Sequence, residues 1–192
     1  MAKDNREIEI KVAVSNIEAF EKKVMALDPQ VIAEVLERTI RFDNDTGDLE
    51  KKGIFVRVRS GSKNIWTVKK KIKDAGEADK YFQRNEWEVE ISDLETARQM
   101  LKVLGFEQEF IMEKYRKKFI LPEAEITIDR LPFGVYAEIE ADKDVIDNLS
   151  KMLELDDLER ITVTYWHLHD EYNKVHGLSE RNIIFSDSFK KN

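Results

Sequence analysis

The chain has 192 residues, no cysteine, 39 acidic against 32 basic side chains and a formal net charge of −7. That length fits one domain with a substantial core, the missing cysteine excludes disulfides and thiol chemistry, and the acidic balance argues against general nucleic-acid binding. No uncharged apolar run approaches the ~20 residues of a membrane span, and Lys3, Asp4, Arg6 and Glu7 interrupt any N-terminal signal core, so the expected location is the cytoplasm.

Residues 6–14 alternate strictly, with Glu7, Glu9 and Lys11 on one face and Ile8, Ile10 and Val12 on the other, which predicts a strand. Ser15 or Asn16 then caps a helix carrying Ile17, Phe20, Val24 and Leu27, ended by Asp28-Pro29. A long strand over 31–43 leads to a turn at 44–48. Residues 54–59 and 65–71 pair as a hairpin around Ser60-Gly61-Ser62-Lys63-Asn64, and 78–91 reads as another long strand. Asp93 starts an amphipathic helix closed by Gly105. Three more strands follow over 106–121, 123–130 and 135–141, then helices over 144–153 and 165–176. Trp66 and Trp87 fall on apolar strand faces and are expected in the core. His167 and His169 lie two apart on the last helix and share no face, which speaks for packing and not for a metal. Lys190-Lys191 reads as a solvated terminus.

The informative pattern is an inversion repeated in strand after strand. Glu-rich rows (Glu7 and Glu9; Glu86, Glu88 and Glu90; Glu125 and Asp129; Glu138 and Glu140) and basic rows (Arg57 and Arg59; Lys69 and Lys71; Lys114, Arg116 and Lys118) each oppose an apolar face. One such row alone is an ordinary solvent face. Taken together they are segregated by sign, and an exposed surface gains little from rows of like charge. Facing one enclosed space, the carboxylates would hold a hard cation and the bases phosphate oxygens. The apolar faces would then lie outside, where the helices need a surface to cover. Eight is about the strand number at which a sheet closes around a small ligand. The expected fold is therefore α+β, a closed eight-stranded antiparallel β-barrel with helices packed outside, spanning 1–178 and followed by a C-terminal tail at 179–192.

Glu7-Ile8-Glu9-Ile10-Lys11 resembles the E-x-E-x-K motif that opens the CYTH superfamily, the triphosphate tunnel metalloenzymes. Arg57-x-Arg59, Thr67-x-Lys69, Glu86-x-Glu88, Lys114-x-Arg116, Asp129 and Glu138-x-Glu140 follow in the family's order. The resemblance implies a tunnel, Mg²⁺ or Mn²⁺ as cofactor, and a small-molecule triphosphate as partner: tripolyphosphate, thiamine triphosphate or ATP. By motif, Glu7, Glu9, Asp129, Glu138 and Glu140 resemble the metal-side carboxylates. Lys11, Arg57, Arg59, Lys69, Lys114 and Arg116 resemble the phosphate cradle. Glu7, Glu9, Lys11, Glu86 and Glu88 are the catalytic candidates, the last two as supporting carboxylates. Leu131-Pro132-Phe133-Gly134 departs from the Gly-Asp-Phe stretch of many relatives and looks like a subgroup labelled class IV adenylyl cyclase. The expected reaction is hydrolysis of an inorganic or organic triphosphate. Cyclisation of ATP to cyclic AMP and pyrophosphate, and non-catalytic polyphosphate or nucleotide binding, are the alternatives. The sequence leaves a homodimer open.

Overall fold

The computed structural model describes residues 5–72 and 80–187. The predicted start of the fifth strand at Ala78 and the Lys190-Lys191 pair lie outside them. The strands are β1 (Arg6–Ala13), β2 (Gln30–Asp43), β3 (Ile54–Ser60), β4 (Ile65–Lys71), β5 (Phe82–Glu90), β6 (Gln108–Leu121), β7 (Ala124–Leu131) and β8 (Gly134–Ala141). The helices are α1 (Ile17–Met25), α2 (Asp48–Lys51), α3 (Leu94–Val103), α4 (Lys143–Met152) and α5 (Tyr165–His176). All strand pairs are antiparallel, in the order β1-β5-β4-β3-β2-β6-β7-β8, and β8 returns to β1 to close the ring. β1 is the seam. Arg6–Glu9 pair with β5, and Glu9–Ala13 pair with β8.

Strand parity turns the charged rows inward and the apolar rows outward, so the core lies outside the ring. Ile10, Val12, Phe119, Ile126, Ile128, Ala137 and Ile139 pack against Phe20 and Val24 of α1 and Ile146, Leu149 and Leu153 of α4. A second cluster places Ala97 and Leu101 of α3 over Ile40, Phe42, Val56 and Val58. Each of these larger side chains contributes about 1.5–3 kcal/mol when fully buried. A charged interior gives no such return, so the outer shell must hold the ring closed.

The helix starts follow their capping residues. Asn16 accepts from the Ala19 N–H, Asp93 from Glu95 and Thr96, and Thr164 from His167. Gly105, at φ +90°, ends the α3 turn in the left-handed region.

Four features differ from the sequence reading or extend it. Residues 48–51 form a helical turn where only a loop was expected. Buried Asp43 accepts from the backbone of Asn44, Leu49 and Glu50, which caps it. β2 carries an irregularity between Ile32 and Val35, so alternation does not run unbroken along it. Trp87 is not a core residue but is 47% exposed. The α3 cluster centres on β2 and β3, and among the described residues none of the buried clusters includes Trp87 or its exposed neighbour Val89 on the outer face of β5. Finally, α5 lies across one end of the ring, with Tyr165 and Trp166 in the wall of the interior. Beyond it, Ile183 bridges to Met112 in parallel and is buried with Phe185.

Candidate functional site

The ring encloses a cavity of about 250 Å³. Twelve of the thirteen residues carried over by motif line it: Glu7, Glu9, Lys11, Arg57, Arg59, Lys69, Glu86, Glu88, Lys114, Arg116, Glu138 and Glu140. Asp129 lies behind this wall, fully buried. Arg84, Lys118, Glu125 and Thr127 also line the cavity. Lys118 and Glu125 stand in the rows described above, Thr127 lies between Glu125 and Asp129 on the same face, and Arg84 lies two positions before Glu86 on the same face. The sequence reading assigned none of these four to the site, although the alternation that marks the rows carries their signal. Tyr165 and Trp166 had no comparable signal, because only the packing of α5 aims them inward.

One wall is basic and rigidly held. Asp129 accepts from Lys114 Nζ at 2.8 Å, from Arg116 Nε and Nη2 at 2.6 and 2.5 Å, and from the Tyr165 hydroxyl at 2.9 Å. Arg116 also donates to Glu138 at 2.5 Å. Both Asp129 oxygens are thus engaged by protein donors. Burial pulls the Lys114 ammonium down, and Arg116 beside it adds to this, leaving a pKa of about 8 despite Asp129, Glu138 and Glu37. Lys11 lies 3.2 Å from Glu138, donates to the Val163 carbonyl and sits 4.5 Å from the centre of the Tyr165 ring. Burial alone would raise the Glu138 carboxyl, yet Lys11, Arg116 and Lys114 hold it well below the usual range. On the other side of the ring, Lys69 bonds Glu7 at 2.6 Å and lies 3.1 Å from Glu86. Arg57 reaches Thr67 at 3.2 Å and Glu88 at 3.4 Å.

The opposite arrangement occupies β7, β8 and β1. Glu125, Glu140 and Glu9 stand directly opposite one another in register across these three neighbouring strands. Like charges so placed repel. Burial raises the Glu9 carboxyl to about 8, with Glu138 as the second cause. Glu140, at the solvent side of the wall, is raised to about 7 by partial enclosure and by Glu7. One oxygen of Glu7, Oε2, is buried with no hydrogen-bond partner. An in-register row of carboxylates with an orphaned oxygen beside it fits a hard divalent cation such as Mg²⁺ or Mn²⁺. Among the described residues no three of these groups already converge as a finished cage.

The two ends of the cavity differ. Phe55, second in β3, and Phe82, first in β5, lie at the α5 end, where Met112, Tyr165 and Trp166 complete an apolar wall. Glu7, Glu88, Glu125, Glu140, Arg59 and Lys118 lie towards the other end.

The CYTH domain profile matches residues 5–164. The chain belongs to the CYTH domain family. Among CYTH-like relatives, Adenylate cyclase CyaB of Aeromonas hydrophila is 30% identical over 138 residues, covering 69% of this chain and 67% of that protein. A solved Vibrio parahaemolyticus structure superposes with a TM-score of 0.71 at 24% identity, over 88% of this chain and 99% of the other. A Hippeastrum structure, described as revealing a dominant triphosphatase activity, superposes at 0.59 and 18% identity, over 86% and 96%. Both structures share the CYTH fold with this chain. Among the described residues, no helix is long and apolar enough to cross a membrane.

Proposed function

We propose that this CYTH chain is a divalent-cation-dependent enzyme that holds a triphosphate in a tunnel through the ring and hydrolyses it. The observation that carries this reading is the Glu125–Glu140–Glu9 row set against the fixed pair Lys114 and Arg116 in one enclosure. Eight basic and seven acidic described side chains line the cavity, so its wall is near neutral when all are ionised. A triphosphate tail brings several further negative charges, and the bases alone do not offset them.

Phosphoryl transfer needs little covalent help from protein; positioning and charge neutralisation do most of the work. Lys114 and Arg116, immobilised by Asp129, would meet phosphate oxygens without having to be ordered first. Arg57, Arg59, Lys69 and Lys11 would complete the cradle from three other strands. Glu9, Glu140 and Glu7 would hold the cation, which supplies charge neutralisation at the phosphate oxygens and a means of activating water. Glu86 and Glu88 would keep Lys69 and Arg57 in place. Asp129 is better suited to positioning the bases than to binding the cation, because its oxygens are already engaged.

The second reading is cyclisation of ATP, in which the ribose hydroxyl replaces water and pyrophosphate leaves. The aromatic end of the cavity, an apolar wall suited to an organic group, favours it, as does the name of the Aeromonas relative. Incubation with tripolyphosphate, thiamine triphosphate and ATP, each with Mg²⁺ or Mn²⁺, separates the two. Free phosphate supports hydrolysis, cyclic AMP with pyrophosphate supports cyclisation, and no turnover of any of them overturns both.

Binding itself is expected to raise the melting midpoint. At 100 times the dissociation constant a ligand stabilises the fold by about 2.7 kcal/mol, which in a domain of this size corresponds to roughly 5–11 °C. Tripolyphosphate should produce that shift in a variant that does not turn it over. Orthophosphate at equal ionic strength should produce much less, since it cannot span the cradle. Equal shifts would mean general anion binding and would remove the tunnel reading.

A pH dependence follows from the raised carboxyls. Glu9 at about 8 and Glu140 at about 7 keep protons in the fold that an unfolded chain, with carboxyls near 4.5, has already released. Their stabilising protonation is complete below the unfolded value and is lost as pH rises through 7 to 8. The cation-free protein should therefore melt lower at pH 8 than at pH 5. Mg²⁺ should reverse much of that loss, because it binds the ionised carboxylates. The double variant Glu9→Gln/Glu140→Gln should show a clearly shallower fall. A wild-type midpoint that climbs from pH 5 to pH 8 in chelator would contradict the assignment.

A further inference from the structure

Glu37 belongs to none of the charged rows that alternation singled out, and it does not line the cavity. β2 nevertheless turns it inward, behind the basic wall, where it is 5% exposed. One of its oxygens lies 3.5 Å from Arg59 Nη1, 3.9 Å from Arg116 Nε and 4.0 Å from Lys114 Nζ. Asp129 engages two of the same cations at 2.5–2.8 Å. Those are strong hydrogen bonds, whereas the Glu37 separations run from the outer limit of a hydrogen bond to beyond it. Asp129 therefore fixes the geometry of Lys114 and Arg116. Glu37 acts on them through charge, which at these separations remains substantial inside a protein.

Glu37 is also packed closely on one side. The turn between β3 and β4 closes on it at Gly61, where an added methyl group would stand 3.3 Å from Glu37 Cγ. Burial alone would raise its pKa, yet Arg116, Lys114, Arg59 and Arg57 hold it down to about 2. It is a buried negative charge beside three bases that face the cavity.

We infer that Glu37 is an internal counter-anion that competes with bound polyphosphate for Arg59, Lys114 and Arg116, and so limits how tightly the product anion is retained. The inference rests on the cavity being a polyphosphate site. Glu37 touches no substrate in this scheme and is a positioning residue, setting the electrostatic strength of the cradle through its three partners.

The test uses the full chain with Mg²⁺ and pyrophosphate, titrated calorimetrically. Glu37→Gln keeps the size of the side chain and removes the charge. It is expected to bind pyrophosphate about tenfold more tightly than wild type. Glu37→Asp keeps the charge but withdraws it by one methylene, and its affinity should fall between the two. In turnover of tripolyphosphate, Glu37→Gln should lower KM more than it lowers kcat. A residue needed only to hold Arg59 in place would do the reverse, raising KM. Equal or weaker pyrophosphate binding by folded Glu37→Gln, or by folded Glu37→Asp if the first variant does not fold, overturns the inference while leaving the site reading intact. Absence of pyrophosphate binding by wild type and variants alike would overturn both.

Discussion

Asp129→Ala is expected to destabilise the protein by about 3–5 kcal/mol, because removing one partner of a buried ion cluster leaves the others uncompensated. In a domain of this size that lowers the melting midpoint by roughly 6–20 °C. Asp129 is fully buried and receives hydrogen bonds from Lys114, Arg116 and Tyr165. Its loss would leave Glu138 and Glu37 as the nearest counter-charges to two buried cations. Asp129→Asn keeps the shape and one acceptor oxygen, so it should lose less stability than Asp129→Ala. Both variants should bind tripolyphosphate more weakly, since Lys114 and Arg116 are no longer held. Thermal melts and a tripolyphosphate titration check this. A midpoint within a few degrees of wild type for Asp129→Ala would show that the cluster relaxes freely and that Asp129 does not organise the wall.

Glu9→Gln should separate stability from activity. The substitution is nearly isosteric and removes one charge from the Glu125–Glu140–Glu9 row. Turnover of the preferred triphosphate is expected to fall by about 10²-fold or more, the scale seen when one element of transition-state charge stabilisation is lost. Affinity for Mg²⁺ or Mn²⁺ should fall as well. The cation-free protein, in contrast, should melt higher than wild type near pH 8, where Glu9 in the native chain would have to ionise beside Glu138 and Glu7. Gain of stability with loss of function marks a group kept for its chemistry and not for the fold. Near wild-type turnover at limiting cation would remove Glu9 from the site.

Much of the architecture was legible because the strands announce themselves twice, through period-two alternation and through the sign of each charged row. β4 and α5 match their expected spans, and the ends of most other elements differ by only a residue or two. The site was legible for the same reason. Once Glu7, Glu9 and Lys11 share a face, closure of the ring places them across from Arg57, Arg59, Lys114 and Arg116. What alternation could not show was depth. Asp129 and Glu37 have the parity of cavity residues but lie behind the wall, because neighbouring long side chains reach past them. Trp87 failed for a related reason, since an apolar strand face predicts burial only where some helix covers it. Tyr165 and Trp166 were invisible in principle. They are ordinary aromatic residues opening an ordinary helix, and only the docking of α5 across the end of the ring turns them inward.

The seam at β1 also sets when the candidate site can assemble. The first strand of the ring bonds its first half to β5 and its second half to β8, the last strand of the ring. Glu9 and Lys11 therefore meet Glu140 and Glu138 only when the two distant ends of the sheet are joined. Such late, non-local pairing is the slow part of folding for a sheet of high contact order. A chain still emerging from the ribosome, or a partly refolded one with β1 unpaired, would carry the E-x-E-x-K motif intact and yet have no site. Recovery of polyphosphate binding during refolding should then track completion of the ring and not the earlier appearance of strand structure. Competence of this kind arrives all at once, with the last pairing, and a truncated or nicked ring would fail as a unit.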